Sequence, residues 1–399
     1  MKKIALISAL IAIAILIAIS FQQISSQALK NHARILHQKA LVLDTHCDTI
    51  LRIMNEGMDI GVRSSRGHID IPRMREGGLD AQVFALWVAP SYLPNGAIRR
   101  TLDMLDAMYR TIEQYPDQVE LARTAADAYR ITSQNKIAIF LGIEGGHAIE
   151  DDLAALRMFY RLGVRYLTLT WMNTNNWADA AGDTARWGGL NELGVQVVKE
   201  MNRLGMIVDV SHVSDEAFWD VLKVSTKPVI ASHSCCRALC NHFRNLSDDM
   251  LRGLAQNGGV VGINYYVGYL DQQYNEQFEQ IDRELRSQLA ALKEKYKDHD
   301  QQYQQERRAL FQERMKDLPQ VSIDRLIDHI DHVVKVAGID HVGLGSDFDG
   351  ISTPPVGLED CSKLPNITQK LLDRGYSDED ITKILGGNFL RVFREVIGE

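Results

Sequence analysis

From Leu41 onward, short apolar runs of strand length recur along the chain, and most are followed by a stretch whose apolar positions return every three to four residues. The runs predict strands at 41–46, 81–88, 137–143, 165–170, 206–211, 228–232, 259–264 and 341–346. Between them, helical spacing predicts helices over Arg99–Tyr115, Thr124–Asn135, Leu153–Leu162, Leu193–Leu204, Asp215–Val224, Ser247–Asn257 and Ser322–Ala337, with a lead-in helix over Ala28–Ala40. Alternating strand and helix implies a parallel sheet, and eight such units imply a closed (β/α)8 barrel of the TIM type rather than an open sheet. No Gly-rich phosphate loop follows the first strand, which argues against a dinucleotide-binding sheet.

Two segments depart from this rhythm. Residues 268–318 are dominated by Gln, Glu, Lys, Arg and Asp, with no Gly or Pro between Gly268 and Pro319. They read as one long helix or a helical hairpin inserted after the seventh strand, supported by one-turn pairs such as Glu294 with Lys297. Such an arm is either a plain solvated insertion or, from its place on the loop side of the barrel, a lid or a contact for a homodimer. At the other end, Met1-Lys2-Lys3 precedes a run without charge from Ile4 to Phe21. A basic start and apolar core predict an export signal or a single membrane anchor over residues 1–27, leaving 28–399 as an extracytoplasmic catalytic domain.

Composition narrows the partners. At 45% apolar and 24% charged residues the chain is an ordinary globular protein, and its net charge of −8 comes without a basic patch, so neither nucleic acid nor anionic lipid is favoured. Any membrane contact is expected through the N-terminal segment alone. Five cysteines with no Cys-x-x-Cys pair support neither a disulfide framework nor a zinc knuckle; at most one or two bridges are expected.

Chemistry gathers at the strand ends. The first strand closes in His46-Cys47-Asp48, whose i, i+2 spacing sends both side chains to one side. The third runs into Glu144-Gly-Gly-His147, the fifth into His212, the sixth into His233 and the eighth into Asp347. Catalytic residues of such barrels converge at these ends. Any one of these histidines alone is more often a hydrogen-bonding residue. Together, three imidazoles and two carboxylates exceed one tetrahedral ion and fit two metals sharing a carboxylate. Asp347 emerges beside them, where it can pass a proton to a leaving amine. Asp349-Gly350 reads as a turn. Arg237 and Arg244 follow His233 and are each either a clamp for a substrate carboxylate or a structural salt bridge.

With these residues assembled, the chain resembles the membrane (renal-type) dipeptidase family of zinc peptidases. The motifs are Leu-Asp-Thr-His-Cys-Asp48, Gly-Ile-Glu-Gly-Gly146, Arg-Tyr-Leu-Thr-Leu-Thr170, Asp-Val-Ser-His212, Ala-Ser-His-Ser234, Gly-Ser-Asp-Phe-Asp-Gly350 and Gly-Gly-Asn-Phe-Leu-Arg391. The resemblance implies that His46 and Asp48 bind one zinc, His212 and His233 the other, and that Glu144 bridges them. It implies further that Asp347 transfers the proton and that Arg244, not Arg237, grips the carboxylate of a dipeptide. The expected chemistry is hydrolysis of short peptides by a metal-bridged hydroxide, from two ions about 3.5–4 Å apart that lower the pKa of a shared water toward about 7. One departure stands inside the site: Trp171 occupies the position where the mammalian members place a histidine that contacts substrate. Two other readings are a related metal-dependent amidohydrolase or deaminase, which usually begins with His-x-His where this chain has Asp48, and a non-catalytic surface protein on the same barrel.

Overall fold

The computed structural model describes residues 27–297 and 300–398. Nine strands form one parallel sheet: β1 (Leu43–Cys47), β2 (Ala81–Trp87), β3 (Val119–Leu121), β4 (Ile137–Glu144), β5 (Val164–Thr168), β6 (Ile207–Asp209), β7 (Ile230–Ser234), β8 (Val260–Ile263) and β9 (Val342–Leu344). Strands β1, β2, β4, β5, β6, β7, β8 and β9 pair in that cyclic order, and β9 pairs back onto β1, so the expected barrel is closed. The three-residue β3 lies along the start of β4 and was not expected; it is too short for a period of two to register.

Strand alternation divides the barrel into two storeys. On β4, Ala138 and Phe140 point inward with Leu43, Val83, Ile207, Ile230 and Val260, and this apolar layer is completed from below by Phe389 and Phe393 of the C-terminal helix Asn388–Ile397. The Phe140 and Phe393 rings meet at 4.9 Å. One step higher, a side chain on Gly142 would collide with the Tyr166 ring, which crosses the interior and donates its hydroxyl proton to the Thr45 carbonyl at 3.1 Å. Higher still comes Glu144. The apolar filling therefore stops two residues short of the strand ends, and polar side chains face one another above it. A second, larger core lies outside the strands, beneath the surrounding helices.

Those helices start where side-chain caps allow. Thr124 and Asp127 make a reciprocal capping box, and Ser214, Ser247 and Ser322 each accept from a backbone N–H of the first turn. The charged insertion is a hairpin of helices Gln272–Lys295 and Asp300–Met315, joined across by Phe278 stacked on Phe311 at 6.3 Å and by the Arg314–Glu284 pair. Glu294 and Lys297 pair at 3.6 Å. The root of the hairpin is packed: Tyr274 is buried with Val267 and Val321.

All five cysteines are buried free thiols, so the one or two bridges allowed from the sequence are not made. The export or anchor segment expected over 1–27 falls outside the described residues except at its last position. Among the described residues, no helix is long and apolar enough to cross a membrane.

Candidate metal centre

Six residues from five strand ends come together above the apolar layer. His46 lies in β1 and Asp48 directly after it; Glu144 ends β4; His212 follows β6; His233 lies within β7; Asp347 follows β9. The β1 and β9 chains continue their pairing beyond the strands, Asp48 N donating to Phe348 O at 2.8 Å and Asp347 N to His46 O at 3.1 Å, which carries both carboxylates upward together. Gly350 permits the approach: a Cβ there would stand 2.2 Å from Asp48 Oδ2 and 2.4 Å from Asp347 Oδ1. His212, Asp347 and Asp349 have φ of 70°, 59° and 67°. Left-handed backbone at three non-glycine residues around one site is the sort of strain that a functional geometry retains.

Glu144 is the centre of the group. Its Oε2 lies 3.4 Å from His46 Nε2, while its Oε1 lies 2.9 Å from His212 Nε2 and 3.4 Å from His233 Nε2. His46 Nε2 is 3.6 Å from Asp48 Oδ2, and the His212 and His233 Nε2 atoms face each other at 2.9 Å. His46 Nδ1 is engaged by the Tyr166 hydroxyl at 3.0 Å. Since that hydroxyl gives its proton to Thr45 O, it accepts from Nδ1–H. The other ring nitrogen, Nε2, is buried without a hydrogen-bond partner.

Charge in the site is arranged for a cation. Burial lowers His46, but the charge of Glu144 and the nearby Asp48 outweigh it and hold the imidazole well above its ordinary value. Burial, then Arg244, depresses His212 to about 4, and burial with His46 beside it holds His233 well below the usual range. Glu144 stays well below the carboxylate range despite burial, because His46, His212 and His233 surround it. Burial and Glu144 raise Asp48, and burial raises Asp347 well above its usual value. Three imidazole nitrogens and the carboxylates of Asp48, Glu144 and Asp347 thus converge in a buried space, and one of those nitrogens, His46 Nε2, has no hydrogen-bond partner. This donor set fits borderline divalent ions such as zinc.

The centre opens into a cavity of about 310 Å³. Asp48, Glu144, His212 and Asp347 form its polar floor, and Leu51, Trp87, Trp171, Met172 and Tyr269 its apolar wall. Trp171 therefore lines the pocket, its ring edge-to-face with Trp87 at 4.8 Å. Asn264 Nδ2 donates to Asp347 Oδ2 at 2.9 Å, fixing that carboxyl. Arg244 is buried but does not line the cavity; its guanidinium lies 5.6 Å from the centre of the Tyr269 ring, Nη2 donates to His233 O at 3.1 Å, and Nε has no partner. Arg237 makes a two-pronged salt bridge to Asp215 at 2.6 and 2.7 Å, which settles it as structural. His147 turns away from the group to the Val88 carbonyl at 2.8 Å. Asp349 is more than a turn: it accepts from Thr49 Oγ1, His68 N and Arg52 Nη1 and ties the β1 loop to the β9 loop. Trp87 and Tyr269 carry no metal-type chemistry, and only the folded chain brings them to the site.

Comparison with known proteins identifies the family. The family model for membrane dipeptidase, peptidase family M19, matches residues 30–398. Dipeptidase 3 of Mus musculus is 33% identical over 382 residues, covering 93% of this chain and 68% of its own. Among solved structures, the probable dipeptidase PvdM from Pseudomonas aeruginosa superposes with a TM-score of 0.81 at 29% identity, over 93% of this chain and 99% of that one. A metallopeptidase from Rhodobacter sphaeroides, liganded with a phosphinate mimic of the dipeptide L-Ala-D-Ala, does so at 0.73 and 25% identity, over 90% and 99%. The closed barrel and a family match spanning almost all the described residues lead to one conclusion: the chain belongs to the membrane dipeptidase family, peptidase family M19.

Proposed function

We propose that this metal-dependent dipeptidase holds two zinc ions, with His46 and Asp48 on one, His212 and His233 on the other, and Glu144 between them. The observation that carries this reading is the division of the Glu144 carboxylate, one oxygen toward His46 and the other toward His212 and His233. Two divalent ions held there would lend Lewis acidity to the peptide carbonyl and to the attacking water. The protein's own groups supply the rest. Asp347, whose Oδ2 is held by Asn264, would hold a proton on its other oxygen and deliver it to the leaving nitrogen. Arg244 does not line the cavity, but from its place against Tyr269 its unpartnered Nε is a donor left over for the carboxylate that marks a dipeptide's end. Trp171 and Trp87 form a rigid wall that restricts side-chain size. The dipeptide mimic bound by the Rhodobacter relative carries two small side chains, which supports such a restriction. The basic and apolar start of the chain supports export, tested by fractionating cells that express the chain with and without residues 1–27.

The test is metal analysis joined to activity on a dipeptide panel, with and without chelator. Two zinc ions per active chain are expected, with Glu144→Gln weakening both and His147→Gln neither. One ion or none in an active preparation overturns the assignment. Arg244 is tested by amidating the dipeptide's C-terminus, which is expected to cost the wild type much and Arg244→Ala little; additive losses refute the clamp. A second reading rests on Asp347, whose carboxylate oxygen lies within 4.8 Å of ligand atoms of His46 and Asp48. If Asp347→Asn loses an ion, Asp347 is a ligand rather than the proton carrier.

A further inference from the structure

We infer that Asp209, acting through the Ser232 hydroxyl, sets the tautomer of His233 and so decides whether that imidazole presents a lone pair to a metal. The inference rests on the metal-site reading above. Asp209 is fully buried at the end of β6 and does not line the cavity. Its Oδ1 accepts the backbone N–H groups of Ser211 at 3.0 Å and Ser232 at 2.9 Å. Its Oδ2 accepts the hydroxyls of Thr168 at 2.5 Å and Ser232 at 2.6 Å. A carboxylate only accepts, so it takes the single proton that each hydroxyl has to give. Ser232 Oγ also lies 2.8 Å from His233 Nδ1. With its proton committed to Asp209, Oγ can only accept there, and Nδ1 must carry the hydrogen. His233 Nε2 is then bare, on the side of Glu144 and His212. Ser211 Oγ, which accepts from the His233 backbone N–H at 3.0 Å, approaches Ser232 Oγ only to 3.4 Å and does not compete. The three histidines thus differ. Tyr166 orients His46, Asp209 orients His233 through Ser232, and His212 Nδ1 has no partner.

The relay makes an unusual demand on Asp209→Asn. The amide has the same shape, and its oxygen can still take the two backbone N–H groups. Its nitrogen now faces two hydroxyls and must donate to them. Ser232 Oγ then accepts from the amide, and its own proton turns to His233 Nδ1. The ring is driven to the Nε2–H tautomer, which points a hydrogen where the ion should sit. Ser232→Ala removes the relay without imposing the wrong tautomer, so its effect should be smaller. Most tellingly, adding Ser232→Ala to Asp209→Asn should restore binding, because the hydroxyl that transmits the reversal is gone. If Asp209 only braces β5, β6 and β7, the two losses accumulate instead.

The experiment measures zinc affinity by competition with a chromophoric chelator on the full chain and its variants, with thermal melts of the metal-free proteins alongside. Zinc binding by the wild type tests the metal-site reading by itself; the order among variants tests the relay. For Asp209→Asn, affinity for one of the two ions is expected to fall by about 10–100-fold, the usual scale for an outer partner of a ligating histidine. Ser232→Ala should lose less, and the double variant should bind more tightly than Asp209→Asn alone. An Asp209→Asn variant no weaker than Ser232→Ala, or a double variant weaker than Asp209→Asn, overturns the relay. Should Asp209→Asn yield no folded protein, Ser232→Thr, which keeps the hydroxyl, replaces it: wild-type affinity supports the relay, and affinity as low as that of Ser232→Ala overturns it.

Discussion

Replacing Gly142 by alanine puts a methyl group where the Tyr166 ring already stands. A Cβ at Gly142 would lie 2.2 Å from Tyr166 Cζ and 2.3 and 2.6 Å from the two neighbouring ring carbons. Carbon atoms rest at about 3.5 Å or more, so the ring must retreat by roughly 1.3 Å. The ring is fully buried, and its hydroxyl sits 3.1 Å from Thr45 O and 3.0 Å from His46 Nδ1. A retreat of that size breaks both hydrogen bonds and releases His46. Overpacking costs about 1–3 kcal/mol and buried unsatisfied polar groups about 1–3 kcal/mol, so Gly142→Ala should lose about 2–6 kcal/mol from the metal-free protein. Tyr166→Phe keeps the ring and loses only the hydroxyl, so it should lose about 1–3 kcal/mol. Tyr166→Leu lacks the colliding atoms, and adding Gly142→Ala to it should cost almost nothing more. Urea unfolding of the metal-free variants reads the stabilities, and zinc competition reads the aim of His46. Gly142→Ala within 0.5 kcal/mol of wild type, or additivity with Tyr166→Leu, refutes the account.

Four further outcomes are expected. Asp347→Asn should keep both zinc ions and lower kcat by about 10²–10⁴-fold, measured with metal content on the same sample. Trp171→Phe should be nearly silent if the indole is a wall, whereas a loss of about 10²–10³ on every dipeptide would make its N–H an oxyanion donor; Trp171→Ala should raise kcat/KM for bulky dipeptides relative to small ones. Replacing the distal arm, about residues 281–310, by a short linker should leave a folded, zinc-binding protein, because loop closure depends weakly on length and the packed root with Tyr274 and Phe278 is kept; loss of zinc would give the arm a role in the site. Burial pushes Asp80 up to about 6 even though it accepts from Val42 N–H. The folded carboxyl then holds its proton to higher pH than the unfolded one, so stability should rise as pH falls from 6 toward about 4. Asp80→Asn should flatten that slope and gain up to about 3 kcal/mol at neutral pH; an unchanged slope in urea titrations refutes it.

How much of this was legible beforehand follows from the range over which each signal acts. Strand and helix periodicities are local, and so are the caps; all eight barrel strands and the helices expected between them are present, with no end moved by more than two residues. The metal-type residues were found because each sits next to an apolar run that stops, and a barrel brings all such stops to one end. His46, Asp48, Glu144, His212, His233 and Asp347 needed no contact information to be singled out. What the chain alone left open were choices between equal local patterns. Arg237 and Arg244 both follow His233, and only the fold brings Asp215 against the first and Tyr269 against the second. Gly142 reads as an ordinary strand glycine until Tyr166 of the next strand crosses its face. Asp209 and Ser232, 23 residues apart, read as polar residues in two apolar runs until β6 and β7 pair and join them to His233. The physical reason is common to all three. Sequence pattern reports which face a side chain takes relative to its own backbone, whereas hydrogen-bond direction, ring clearance and salt-bridge choice depend on distances between elements that closing the barrel alone establishes.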